Sequence, residues 1–105
     1  MPRSFALAAY VACNPGKVAR VPAGCPLVDA ASLPTVGLTA LQALRANGCT
    51  AGANVLVIGA SGGCGSAAVM VAGAMGAARV AGVCSAANAA LVRGLPGCAA
   101  LDVVD

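Results

Sequence analysis

The sequence predicts an α/β fold in which a parallel sheet is wound in the order β-α-β-α-β. Three observations carry that prediction. Val55-Leu-Val-Ile58 is an aliphatic run with no polar break, the pattern of a strand buried on both faces. A glycine-dense turn over residues 59–65 follows at once, and behind it Ser66-Ala-Ala-Val-Met-Val-Ala-Gly-Ala-Met75 consists mostly of good helix formers. The alternation then repeats. Arg79-Val-Ala-Gly-Val-Cys84 reads as a second strand, residues 86–93 as a short helix capped by Ser85, and residues 101–104 as a third strand beyond the breaker Gly94-Leu-Pro-Gly97. Strands and helices alternating at this spacing pair in parallel through right-handed crossovers, which gives half of a doubly wound sheet.

Upstream of this unit the elements are shorter. Residues 4–12 read as a strand that ends in the turn tripeptide Asn14-Pro-Gly16. Val18-Ala-Arg-Val21 reads as a second extended piece, closed by Pro22-Ala-Gly24. Asp29 is placed to cap a brief helical turn through Ala30 and Ala31. Pro34 then opens a clearer helix over 35–46, since proline is tolerated in a first turn. Leu38, Leu41 and Leu44 recur at helical spacing within it, and Asn47-Gly48 supplies the stop.

Composition narrows the function classes. A length of 105 residues suits one small domain, and 60% hydrophobic against 9% charged residues favours collapse over disorder. The apolar content is mainly Ala and Val, with one Phe, one Tyr and no Trp, so the core is built from small pieces. So few charges to coat the surface suggest a part of something larger. The net charge of +3 rests on Arg3, Lys17, Arg20, Arg45, Arg79 and Arg93, which form no cluster and have no aromatic partners. That pattern argues against a nucleic-acid surface. Histidine is absent, which removes the commonest general base and the commonest zinc ligand. The six cysteines are widely spaced and none forms C-x-x-C; reduced, buried thiols are expected rather than a disulfide framework or a metal site. Such thiols suit an intracellular protein, most simply a cytoplasmic one, with an organelle as the other setting.

Two stretches imitate membrane segments. Met-Pro-Arg before Phe5-Ala-Leu-Ala-Ala-Tyr-Val-Ala-Cys13 looks like a short secretory signal, and residues 46–78 carry no charge and contain a G-x-x-x-G at Gly59 and Gly63. Asn54, Ser61, Ser66 and many glycines interrupt the longer stretch, and no block of ~20 strongly apolar residues occurs, so no membrane span is expected.

The chemistry gathers at the first corner. Ala60-Ser61-Gly62-Gly63-Cys64-Gly65, with Gly59 before it, is a variant of G-x-G-x-x-G with Ala in the first position. In a chain this rich in Ala and Gly, composition alone can produce such a motif. The strand before it, the helix after it and the second strand ending ~20 residues on favour a cofactor site. Glycines let the backbone approach a pyrophosphate closely, and free N–H groups at a helix start face its charge. At the end of the second strand an NAD-preferring site carries Asp or Glu for the ribose hydroxyls. Here the residues are Cys84-Ser85-Ala-Ala-Asn88, with no acid. Ser85, Asn88 and Arg93 can instead donate to a 2′-phosphate, which favours NADP(H), with NAD(H) the alternative. A plainer reading also stands: Ser85 caps the helix, Asn88 is a surface residue and Arg93 complements the helix C-terminus.

Three separated stretches together resemble the medium-chain dehydrogenase/reductase superfamily, on its zinc-independent quinone oxidoreductase-like branch. They are Ala31-Ser-Leu-Pro-Thr-Val-Gly-Leu-Thr-Ala-Leu-Gln-Ala-Leu44, Val55-Leu-Val-Ile-Gly-Ala-Ser-Gly-Gly-Cys-Gly65, and Val83-Cys-Ser-Ala-Ala-Asn88 with Leu91-Val-Arg93. Ser4-Phe-Ala and Ala9-Tyr-Val are similar to the strand that closes the family's catalytic domain. The resemblance implies that residues 1–33 are a remnant of a GroES-like catalytic domain and its hinge. It implies that residues 34–105 are the first half of an NAD(P)-binding Rossmann domain. It further implies NADPH-dependent reduction of a small-molecule quinone or α,β-unsaturated carbonyl, Thr39 as an additional cofactor contact, and no catalytic zinc.

The sequence departs from the family at Ala87, where a basic residue is usual, and at Leu95-Pro-Gly-Cys98, where Leu-Gly-Ala-Asp is usual. Family members also run to several hundred residues, so the rest of the catalytic domain and the later strands are expected outside these 105. No residue is assigned a catalytic role; Tyr10 reads as a strand residue. The alternative to an oxidoreductase segment is a non-catalytic fragment or degenerate copy that binds nucleotide or a partner, a second copy included, through an open sheet edge.

Overall fold

The aliphatic run at residues 55–58 and its two successors become three parallel strands, β1 (Asn54–Ile58), β2 (Arg79–Val83) and β3 (Leu101–Val104), side by side in that order. The computed structural model describes residues 7–96 and 101–104. A 20-residue helix, α1 (Leu27–Ala46), precedes the sheet; α2 (Gly63–Ala74) joins β1 to β2. A 3-10 turn, Ala86–Asn88, runs directly into the short helix α3 (Ala89–Arg93) on the way to β3. The chain is therefore an α/β protein with a parallel sheet.

The register explains the core. Val55 pairs with Val80 and Val57 with Gly82, so these residues share one face of the sheet. That face packs against the helices: Val57, Val80 and Cys84 form one buried cluster with Leu44 of α1, Val69 and Ala72 of α2 and Val92 of α3. Leu56 and Ile58 point to the opposite face and are 62% and 79% exposed. The expectation of a strand buried on both faces is thus wrong for β1. An uninterrupted aliphatic run signals two-sided burial only where a second layer exists, and the described helices all sit on one side. The far edge of β1 is open as well, and a groove of about 510 Å³ runs along it beside Leu44, Asn47 and Cys49.

The N-terminal reading needs the largest correction. Residues 7–12 and 18–21 form no strand; residues 4–6 lie outside the described residues. Strands need neighbours for their N–H and C=O groups, and no described strand pairs with these segments. Asn14-Pro-Gly16 does turn, as the 3-10 segment Pro15–Lys17 with the Asn14 side chain accepting the Gly16 N–H at 2.9 Å. Residues 17–22 then run along α1 across a cleft of about 560 Å³ lined by Leu33, Pro34, Leu38 and Leu41.

The helix also starts earlier than expected. Pro26, not Asp29, occupies the N-cap, Asp29 lies in the first turn, and Pro34 sits inside the helix rather than at its start. Proline removes one intrahelical hydrogen bond and disfavours a helix interior by about 3 kcal/mol, so sequence rules break the element there. The helix continues because Ala40 and Leu44, beyond the proline, are buried. Its end is as expected: Asn47 donates through its side chain to the Ala43 carbonyl at 2.8 Å, and Gly48 takes φ +73.

Among the described residues α1 is also the one helix long and apolar enough to cross a membrane by length and composition. The uncharged stretch 46–78 instead divides into a turn, β1, the glycine corner and the 12-residue α2. The described thiols are all free but mixed in burial: Cys49 and Cys84 are buried, Cys25 is partly so, and Cys13 and Cys64 are exposed, so the expectation of buried cysteines holds for only part of the set.

Candidate nucleotide-binding site

The corner after β1 is made almost wholly of backbone. Gly59 adopts φ +77, the left-handed region that glycine enters without penalty. The N–H groups of Gly59 and Ala60 both donate to the Val83 carbonyl, at 3.0 and 2.9 Å, which ties the corner to the end of β2. Ala60 is completely buried there. The Gly62 N–H closes a turn onto the Gly59 carbonyl at 3.0 Å.

Gly62 then serves as the N-cap of α2 in an extended conformation, with no side chain to cap the helix. The Ser66 N–H makes the first intrahelical bond, to Gly62, at 2.8 Å. The N–H groups of Gly63, Cys64 and Gly65 therefore have no intrahelical acceptor, and they carry the positive end of the helix dipole. Gly65 is required by contact: a Cβ there would collide with the Gly59 carbonyl oxygen and stand 2.9 Å from the Ala60 Cα. At Gly62 the nearest atom to a Cβ would be the Gly59 oxygen at 3.4 Å, so a side chain there meets no comparable collision. At Gly63 the neighbour is Val36 at 3.4 Å, which brings α1 against this corner.

The corner after β2 is made of side chains. Cys84 is buried, and Ser85 opens the 3-10 turn without a side-chain capping bond, so its expected capping role is not what its hydroxyl does. The Asn88 side-chain nitrogen instead donates to Ser85 Oγ and to Ser61 Oγ, at 3.3 Å each. Ser61, Ser85 and Asn88, from two corners, thus form one polar cluster in front of the glycine turn. Arg93 is exposed in the last turn of α3. Thr39 is exposed on α1, about one turn beyond Val36, and its hydroxyl donates to the Thr35 carbonyl at 2.7 Å. The Asn88–Ser61 bond joins residues 27 positions apart, and no pattern in the sequence announces it.

Such an arrangement can hold a phosphate against backbone N–H groups and present hydroxyl and amide groups beside it. It contains no acidic side chain. Tyr10 is 94% exposed and belongs to no strand. Among the described residues no group of three or more His, Cys, Asp or Glu side chains could hold a metal ion.

Comparison with solved structures defines the class first: the fold is that of α/β oxidoreductases. The quinone oxidoreductase from Coxiella burnetii matches with a TM-score of 0.63 and 38% identity over 73% of this chain and 23% of its own. The quinone oxidoreductase from Thermus thermophilus, also solved with NADPH, gives 0.65 and 37% over 79% of this chain and 28% of its own. The JamJ enoyl reductase gives 0.68 and 32% over 87% and 27%. A cobalt- and zinc-bound alcohol dehydrogenase from Pyrobaculum aerophilum matches at 26% identity. No family model and no curated protein matches the sequence. The chain is accordingly a partial counterpart of the medium-chain dehydrogenase/reductase superfamily, on its quinone oxidoreductase-like side, and spans about a quarter of the length of these structures.

Proposed function

We propose that the chain is the NADP(H)-binding segment of a zinc-independent oxidoreductase that reduces quinones or α,β-unsaturated carbonyls by hydride transfer. In this reading residues 34–105 form the first half of a Rossmann-type domain, and residues 1–33 derive from a GroES-like catalytic domain and hinge. The observation that carries it is the glycine corner, where the N–H groups at 63–65 open α2 without intrahelical acceptors and without a side-chain cap. Those groups would hold the pyrophosphate. Ser85 and Arg93 would hold a 2′-phosphate, with Asn88 positioning the serine hydroxyls, in a cluster without a carboxylate to repel it, and Thr39 is a further contact from α1. The bound cofactor supplies the hydride. This chain's residues would bind and orient it, and the substrate would be a small molecule.

Titration with NADPH while following thermal unfolding tests the reading. NADPH is expected to raise the melting temperature, and Gly62→Val to abolish the rise. No shift with NADPH or NADH at millimolar concentration would count decisively against it.

A second reading, a nucleotide-binding or interaction module without turnover, is favoured by the bare sheet face at Leu56 and Ile58 and by the open edge of β1. It expects association of copies that grows with concentration in sedimentation and no reduction of any quinone.

A further inference from the structure

We infer that Asn88 sets the cofactor preference by fixing the hydrogen-bond polarity of Ser61 and Ser85. The inference rests on the nucleotide-binding reading above. An amide nitrogen has two protons, and here each has a hydroxyl oxygen at 3.3 Å. Ser61 and Ser85 therefore both accept from Asn88. A serine hydroxyl has one proton of its own, and neither Oγ donates to a protein acceptor among the described residues. Both protons remain for a ligand.

The cluster thus offers two O–H donors in front of the glycine corner and no carboxylate. A phosphate on the ribose 2′ position is a pure acceptor with three oxygens and satisfies both donors. A 2′-hydroxyl is best met by a carboxylate, which would accept its proton. Asn88 need not touch the cofactor to impose this choice. It acts as a positioning residue: it holds the two serines, which come from different corners, on one nitrogen and turns both protons outward. The reversed amide would do the opposite, consuming both hydroxyl protons on its oxygen and leaving N–H groups outermost.

Ser85 and Asn88 are exposed and Ser61 is partly so, so alanine variants should fold, and an unchanged melting temperature of the free chain checks this. The test is the pair of dissociation constants for NADPH and NADH, measured by calorimetry on the 105-residue chain. Wild type is expected to bind NADPH more tightly. Ser61→Ala and Ser85→Ala should each weaken NADPH about tenfold, the loss of one hydrogen bond to a charged group, and change NADH less than about threefold. Asn88→Ala should lower the NADPH/NADH preference in the wild-type background and have no further effect once both serines are alanine.

Equal weakening of both cofactors, or an Asn88→Ala effect that persists without the serines, would overturn the inference while leaving nucleotide binding intact. A preference for NADH in the wild type would show the reversed polarity and overturn it too. Failure of the wild type to bind either cofactor would overturn the nucleotide-binding reading itself, and this inference with it.

Discussion

The two corners at the carboxyl ends of β1 and β2 stand side by side and solve the same geometric problem with different materials. The first turns on backbone: a left-handed Gly59, a Gly65 pressed against the Gly59 carbonyl, and two N–H groups sharing the Val83 oxygen. The second turns on side chains, with Ser85 and Asn88 reaching across to Ser61. At Gly59 and Gly65 the backbone corner admits almost no substitution, because a positive φ at one and a backbone contact at the other leave no place for a Cβ. A side-chain corner can be rewritten one residue at a time without disturbing the fold. The first is therefore suited to what all dinucleotides share, and the second to what distinguishes them.

The strongest way to break this contrast is Gly65→Ala. The added methyl meets backbone rather than a movable side chain, so the loss should reach the upper end of the overpacking range, about 3 kcal/mol. In a domain of this size that lowers the melting temperature by about 10 °C or more, or prevents folding altogether. Next is Gly62→Val, three residues earlier in the same corner. Its conformation, φ −75 and ψ 166, suits a β-branched residue, so stability should change by less than about 1 kcal/mol while the NADPH-induced shift disappears. Together the two variants separate the corner's structural glycine from the glycine proposed to face the cofactor.

Val69→Ala tests the shared support beneath both corners. Val69 is fully buried in the cluster that contains Ala60 and Cys84, and the variant should cost about 2 kcal/mol in denaturant unfolding with cofactor preference unchanged. The smallest effect is expected from Thr39→Ala. Its hydroxyl is already engaged with Thr35, so NADPH affinity should fall less than about threefold, and the better helix propensity of alanine should leave stability equal or slightly higher.

The contrast also explains what could be read from the sequence. The first corner was legible because backbone geometry leaves a residue signature: glycine where φ is positive or where a Cβ cannot fit. The alternation of strand and helix was legible through periodicity, and all three strands fall where expected. The start of α1 was not, because a buried Ala40 and Leu44 outweigh the local cost of Pro34, and burial is a property of the fold. The N-terminal segments depart from the strand expectation for a related reason. Their residues have strand-like composition, but no described strand pairs with them. The Asn88–Ser61 bond was invisible because side-chain contacts between corners depend on register, and register has no local sign. The role of Thr39 comes from family resemblance, which Thr39→Ala tests, and that of Arg93 from its charge alone.

The open side of β1 has a consequence for amide exchange. The Gly59 N–H reaches the Val83 carbonyl, so alternation along a parallel pair turns the amides of Val55 and Val57 toward β2 and those of Leu56 and Ile58 toward solvent. In deuterated buffer β1 should label with a period of two, Leu56 and Ile58 filling early and their neighbours late. β2, with a strand on either side, should label slowly along its whole length. Whatever comes to lie against β1, whether more polypeptide or a second copy, would announce itself by slowing every other amide.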